Sequence, residues 1–398
     1  MTVAIKAETS RKSNMLRFAD LEKVGPDSPS GRYLRLFWHP VWRSSDLQAG
    51  RTRPIEVLGE KFTLYRGDGG DAHLTEFHCP HRGAQLSLGW VEGDDLRCRY
   101  HGWKFDCTGQ CVEQPDEDKP FAHKVQMRTY PTREYLGLIF AFVGDGEPPP
   151  FPRYPDLDQS GIIVTDPIEL VPCNFWNRLD NDICHIPWVH RATALRKGRP
   201  DFIVARREVV EETAYGWTSK RFAQGEAGGF RDISGSAHFF MPNVYQFGVR
   251  TRAKGFEDRD LWDTKITWTV PVNDTEFAAF DVTHTPLKQD EAAAYEASRT
   301  QQQDDEFDER WDIAEKILAG DMTIEDIPDD FSAYAAFAIE DYVTQVGQGP
   351  VAGRGPERLG QNDAKVILIR RLWQQEVMAM SEGKKLTDWK IPTTPLQD

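Results

Sequence analysis

From about Pro54 to Val143 the chain runs in short apolar–polar alternations cut every few positions by Gly, Pro and Asp. Ile55-Glu-Val-Leu, Phe62-Thr-Leu-Tyr, Leu74-Thr-Glu-Phe and Leu138-Ile-Phe-Ala-Phe-Val have the length and period of strands, which predicts a small β module. Ahead of it, residues 1–14 are polar, Leu16 to Val24 reads as a short helix, and Gly25-Pro-Asp-Ser-Pro29 is a turn that starts another helix. Gly144 to Pro155 holds five prolines among turn residues and marks a domain boundary. Beyond it, Gly235–Thr251, Leu261–Val270 and Phe277–His284 read as strands. Gln289–Gly320, rich in Ala, Glu and Gln with periodic apolar positions, predicts an exposed helix pair. Phe331 onward reads as a helix ending near Gly347. A β module followed by a larger α+β domain is the resulting fold class.

Composition narrows this picture. A chain of 398 residues is long for one core, and 12 Trp and 22 Phe exclude a disordered protein. The formal charge of −15 speaks against a nucleic-acid partner, which needs a basic footprint. The apolar run Leu136–Val143 is too short to cross a bilayer, so no membrane partner is expected. Met1–Asn14 carries no apolar signal segment, and six cysteines fit a reducing compartment. A cytoplasmic location follows as the expectation.

Within the β module stand Cys79-Pro-His81 and Cys98-Arg-Tyr-His101, with 16 residues between the pairs. Two thiolates and two imidazoles presented from tight loops make a metal site. The order Cys-x-His then Cys-x2-His differs from a zinc finger, which places its cysteines first and its histidines last. In a Rieske [2Fe–2S] cluster the two cysteines bind one iron and the two histidines the other. A zinc ribbon is the plainer alternative. Cys107 and Cys111 follow without a histidine partner and read, like Cys173 and Cys184, as free thiols.

A second constellation follows the boundary, in Asn174-Phe-Trp-Asn-Arg-Leu-Asp-Asn-Asp182-Ile-Cys-His185-Ile-Pro-Trp-Val-His190. His185 and His190 cannot share one face of an ideal helix. A helix ending at Pro187, with His190 just beyond, lets both converge on one metal. Asp182 lies on the His185 side and could accept its ring N–H. An oxygen-activating iron needs two histidines and one carboxylate with open positions left over. Asp341 is the candidate carboxylate, because it continues the stripe of Tyr334, Phe337 and Ala338; Glu340, one step off the stripe, is the runner-up. An electron-carrying cluster needs an acceptor, so the two constellations support each other.

Taken together, these motifs resemble the oxygenase (α) component of the Rieske non-haem iron ring-hydroxylating oxygenases, in the branch containing phthalate-dioxygenase-like enzymes and aryl O-demethylases. Trp38-His-Pro-Val, Pro54-Ile, Cys79-Pro-His-Arg-Gly, Tyr100-His-Gly-Trp-Lys-Phe-Asp and Cys111-Val-Glu-Gln-Pro carry the resemblance. So do Ile339-Glu-Asp341-Tyr-Val-Thr-Gln, Glu357-Arg-Leu-Gly and Arg370-Arg-Leu. It implies that Cys79, His81, Cys98 and His101 hold the [2Fe–2S] cluster and that His185, His190 and Asp341 hold a mononuclear Fe(II). It further implies that Asp182 bridges the cluster of one subunit to the iron of its neighbour. The expected fold is an all-β Rieske domain (36–150) and a helix-grip, START-like catalytic domain with an antiparallel sheet (151–398). Residues 1–35 are expected to form a helical segment packing on the catalytic domain. The segment Asn177-Arg-Leu-Asp-Asn-Asp182 departs from the family, which more often shows Glu-Asn or Glu-Gly before the aspartate; the ligand spacing is intact.

The resemblance also implies a homotrimer or a pair of trimers. Electrons from NAD(P)H are expected through a separate reductase, a ferredoxin or both, since no Gly-x-Gly-x-x-Gly strand–turn–helix is present. With O2 the enzyme would mono- or dihydroxylate an aromatic compound, including an aromatic carboxylate, or demethylate one oxidatively at O or N. The run His238-Phe-Phe-Met-Pro-Asn-Val-Tyr-Gln-Phe247 is expected to line the substrate pocket, and Arg191, Arg196, Arg199 and Arg207 are near enough in sequence to meet a carboxylate. A Rieske electron carrier and a zinc-binding protein are the alternatives from other classes. The carrier leaves His185, His190 and Asp341 without a role; the zinc protein would be colourless.

Overall fold

The computed structural model of the chain describes residues 17–183, 189–198, 206–224, 230–232, 236–250 and 261–396. Its N-terminal part is the expected β module, in three antiparallel sheets. His39–Arg43, Leu138–Ala141 and Thr132–Tyr135 form a three-stranded sheet. Thr52–Val57, Glu60–Arg66, Ala72–Glu76 and Thr129–Tyr130 form a second sheet, and Trp90–Glu92, Asp95–Arg97, Lys104–Phe105 and Cys111–Glu113 a third. Of the Leu16–Val24 reading, a 3-10 turn over Phe18–Leu21 is present. Helix α1 (Pro29–Leu34) starts where the turn chemistry places it: Pro29 occupies the first turn and the Ser28 hydroxyl accepts the N–H of Gly31.

After the proline-rich segment comes a nine-stranded antiparallel sheet. Its order is Ile162–Thr165, Glu276–Thr285, Trp262–Asn273, Val244–Arg250, Ala237–Phe240, Gly216–Gln224 and Arg206–Thr213; Glu169–Val171 and Phe230–Asp232 attach to Glu276–Thr285 and Gly216–Gln224. Five further helices accompany it among the described residues: α2 (Phe175–Ile183), α3 (His190–Arg196), α4 (Ala292–Ala319), α5 (Ala333–Gly347) and α6 (Ala364–Ser381). The expected helix pair over 289–320 is instead the single helix α4. No Gly or Pro interrupts Ala292–Ala319, and Gly320, in the left-handed region, ends it. No helix of the described residues is long and apolar enough to cross a membrane.

Strand alternation divides the expected pocket run His238–Phe247 between the two faces of the sheet. Across the sheet Phe240, Val244, Trp268 and Phe280 pair in register. They share one face, where Trp268 meets Phe140 of the β module at 5.5 Å and Tyr154 at 5.4 Å. Phe239 and Tyr245 are on the other face with Trp217, over which Lys365 of α6 places its ammonium 5.3 Å from the ring centroid. A period of two therefore sends half of this aromatic run to the β module and half toward the helices.

Two buried histidines sit on these layers. His39 donates from Nε2 to the Leu34 carbonyl at 2.8 Å, and His238 pairs through Nδ1 with the Tyr215 hydroxyl at 3.1 Å. Burial pushes each down to about 4. A histidine held neutral in the fold binds its proton more readily when unfolded. Its stabilising contribution is therefore complete above pH 6.5 and lost as pH falls toward 4, about 3 kcal/mol at most for each ring. Urea unfolding at pH 7.5 and 5 is expected to show that loss in the wild type. The loss should be smaller in His39→Gln, whose amide still donates to Leu34; equal pH dependence in both proteins would contradict the assignment.

Two candidate metal sites

The loops bearing Cys79-Pro-His81 and Cys98-Arg-Tyr-His101 are conformational duplicates. In the first, the Cys79 N–H donates to Ala84 O at 2.8 Å and the Gly83 N–H returns to Cys79 O at 2.9 Å. In the second, the Cys98 N–H donates to Trp103 O at 2.8 Å and the Gly102 N–H returns to Cys98 O at 3.1 Å. Gly83 and Gly102 both have φ of 72°, a conformation that costs a residue with Cβ about 1–2 kcal/mol. A Cβ on Gly102 would also come within 3.0 Å of Pro115. The glycine after each pair is thus what closes the loop.

Cys79 and Cys98 are buried, and their thiols hydrogen-bond to each other. That bond holds the Cys98 thiol low, assisted by the N–H groups of Tyr100 and His101, and pushes Cys79 up together with burial. The half-buried rings of His81 and His101 lie 4.6 Å apart, with His81 stacked on Trp103 at 4.2 Å. The donors therefore form a buried thiol pair and an outer imidazole pair. No three His, Cys, Asp or Glu side chains among the described residues are arranged around one ion. Two separate pairs fit a two-iron cluster, whose irons would be held by Cys79 with Cys98 and by His81 with His101. These residues share a small core with Tyr65, Leu86, Phe105 and Met127, separate from the main core. Cys111 belongs to it as a buried thiol pushed up by burial, Cys107 is an exposed free thiol, and Cys173 is buried and free. Cys184 lies outside the described residues.

Around the histidines the surface is unusually apolar. Leu88 and Tyr100 are 60% and 61% exposed, and Trp90, Val112 and Phe121 join them. Arg99 lies over Trp90 and Arg82 over Tyr100. A patch of this kind is characteristic of a docking face.

The second site gathers on α3 and α5. α2 is described as far as Ile183, Pro187 and the helix end expected there lie outside the described residues, and His190 opens α3. Ser332 caps α5 by accepting the Ala335 N–H, which brings Glu340 and Asp341 opposite His190. His190 Nε2 faces Asp341 Oδ1 at 3.1 Å, and its Nδ1 donates to Glu340 Oε2 at 2.6 Å. Burial opposes charge on the ring, but the two carboxylates outweigh it and raise His190 to about 9. The Phe337 ring covers it at 4.7 Å. The fully buried carboxylate is Glu340, whereas Asp341 stays 28% exposed, so burial cost alone would have singled out Glu340. His185 lies outside the described residues; Asp182 falls in the last turn of α2, and its side chain is outside them too. The chemistry of the donor set, an imidazole Nε2 beside a carboxylate oxygen, fits a ferrous ion.

An ion cluster locks α2 in place. Arg370 of α6 donates from Nη2 to Asp180 at 2.5 Å and also pairs with Glu357, while Arg354 reaches Asp180 at 3.3 Å. Asn177 donates to the carbonyls of Gln345 and Gly349 at the end of α5, at 2.8 and 3.1 Å. α2 is thereby tied to α6 and to the end of α5. In the sequence Glu357 and Arg370 stand out only through the family resemblance, and Asp180, Asn177 and Thr193 fall outside the candidate set. Arg196 is taken up by Glu325 O and Asp329; Arg199 lies outside the described residues. A cavity of about 920 Å³, lined by Tyr33, Trp38, Phe151, Phe240 and Trp389 among others, includes neither His190 nor the two carboxylates.

Residues 37–131 match the family described as the Rieske [2Fe-2S] domain. The chain is 30% identical over 382 residues to the 5,5'-dehydrodivanillate O-demethylase oxygenase subunit of a Sphingobium species, covering 92% of this chain and 80% of that one. It is 28% identical to phenoxybenzoate dioxygenase subunit alpha of Ectopseudomonas oleovorans, covering 91% and 85%. The solved terminal oxygenase of carbazole 1,9a-dioxygenase from Novosphingobium sp. KA1 shares its fold, with a TM-score of 0.60 at 22% identity over 90% of this chain and 94% of that one. The protein belongs to the Rieske non-haem iron oxygenases, as a terminal oxygenase subunit. Its fold is accordingly the Rieske β domain joined to a helix-grip domain. Its cofactors are a [2Fe–2S] cluster and a mononuclear iron served by an external electron donor.

Proposed function

We propose that the chain is the catalytic subunit of an aromatic oxygenase in which Cys79, His81, Cys98 and His101 hold the cluster and His185, His190 and Asp341 the iron. The Rieske domain spans 36–150, between a packing segment at 1–35 and the catalytic domain at 151–398. The observation that carries this reading is the approach of Asp341 to His190 Nε2. It joins two distant stretches of sequence into a partial His–carboxylate set on the same chain as the paired Cys–His loops. When bound, the cluster supplies single electrons and the ferrous ion activates O2.

The chain's own residues provide geometry. Trp103 stacking fixes the His81 ring, and the N–H groups of Tyr100 and His101 favour thiolate at Cys98. The apolar rim of Leu88, Trp90 and Tyr100 docks on the catalytic domain of a neighbouring copy in a homotrimer or trimer pair. Asp182 there links the cluster's histidine to His185. Electrons reach the cluster from NAD(P)H by way of a reductase, a ferredoxin or both, and the location is cytoplasmic.

The substrate class is aromatic, and the reaction is mono- or dihydroxylation. Demethylation is a second reading, favoured by the 30%-identical O-demethylase relative. In that case Ar–O–CH3, O2 and NAD(P)H with one proton give Ar–OH, formaldehyde, water and NAD(P)+. Purified enzyme with a Rieske-oxygenase reductase, supplied with methoxylated and unsubstituted aromatic carboxylates under 18O2, separates them. Hydroxylation is expected to place 18O on the ring; formaldehyde equal to NADH consumed would establish demethylation. No substrate-dependent oxygen uptake across the panel would count against the aromatic class.

A further inference from the structure

We propose that Glu340 is a positioning residue of the iron site, fixing the tautomer and ring orientation with which His190 presents Nε2. This rests on the reading that His190 and Asp341 hold the iron. Glu340 is completely buried, and both of its oxygens are engaged: Oε2 takes the Nδ1 proton of His190 at 2.6 Å, and Oε1 accepts the Thr193 hydroxyl. His190 and Thr193 are three apart on α3, so one helix face supplies both donors and α5 supplies the carboxylate. The neighbouring Asp341 meets the other ring nitrogen.

Each nitrogen of the imidazole thus has one assignment. A proton kept on Nδ1 leaves the Nε2 lone pair for a metal, and a carboxylate acceptor makes that lone pair a better donor. Phe337 closes a further side of the ring and limits its rotation. The arrangement also explains why a carboxylate is tolerated where no water reaches it. A buried anion is costly alone, but hydrogen bonds from Thr193 and from an imidazole bound to a cation offset that cost. Glu340 therefore acts through His190 and does not itself bind the iron.

The test uses the intact holoprotein and measures release of ferrous ion to a chelator, with the cluster's visible spectrum and the melting temperature recorded in parallel. Glu340→Ala is expected to release iron about 10–100-fold faster than wild type with the cluster spectrum unchanged. Glu340→Gln keeps the volume and an oxygen for the Nδ1 proton but loses the charge. It is expected to fall between the two with an unchanged melting temperature, a separation that a purely packing role would not produce. Thr193→Val is expected to speed release only a few-fold. Should Glu340→Ala fail to fold, Glu340→Gln decides. Wild-type release from the Glu340 variants alongside fast release from Asp341→Ala overturns the proposal. If Asp341→Ala also keeps its iron, the placement of iron on His190 and Asp341 is what fails.

Discussion

Replacing Asp341 with alanine is expected to reduce product formation to background while the Rieske spectrum stays as in wild type. The two constellations occupy separate cores, so loss of one carboxylate on α5 leaves the Cys79 and Cys98 loops untouched. With Asp341 gone, only imidazoles remain to hold a ferrous ion that calls for two histidines and a carboxylate. Iron content should therefore fall from about three to about two per chain with sulfide unchanged. Glu340 does not substitute for it, because both of its oxygens are committed to His190 and Thr193. Metal analysis and product assay on the same preparation check this; full turnover in Asp341→Ala would remove the carboxylate from the site.

Local spacing made the first site legible and left half of the second unread. Cys79-Pro-His81 and Cys98-Arg-Tyr-His101 carry ligands and loop-closing glycines within a few residues of one another, so the chain announces the geometry that its backbone then repeats twice. Asp341 could be picked from a helical stripe, but the division of labour with Glu340 depends on which side of His190 each one meets. That is set by how α5 lies on α3, which no local pattern encodes. A signal did exist in His190 and Thr193, three apart and both polar on a buried helix face. The clamp on α2 was further out of reach, since Asp180 meets Arg370 across 190 residues. The aromatic run His238–Phe247 is conspicuous by residue type, but its period of two divides it between two layers, and Phe240 and Val244 line the cavity beside Tyr33 and Trp389. The polar run 289–320 suggests two helices, yet nothing within Ala292–Ala319 breaks the one helix that forms.

The second large effect concerns the path of the electron. If the apolar rim around His81 and His101 docks on a neighbouring copy, a chain without a cluster and a chain without an iron can complement each other. Cys79→Ser removes the cluster donor set and Asp341→Ala the iron set, so neither protein alone turns over. In a ring of three that contains both kinds of chain, one junction places an intact cluster beside an intact iron on the next subunit, whichever kind is in the majority. Co-expressing the two variants with different tags, purifying through both, and assaying product per assembly measures this directly. About one-third of wild-type turnover is expected from the doubly tagged rings. Background activity from assemblies that contain both chains, with the remaining cluster and iron present, would contradict transfer between subunits and with it the docking role of Leu88, Trp90 and Tyr100.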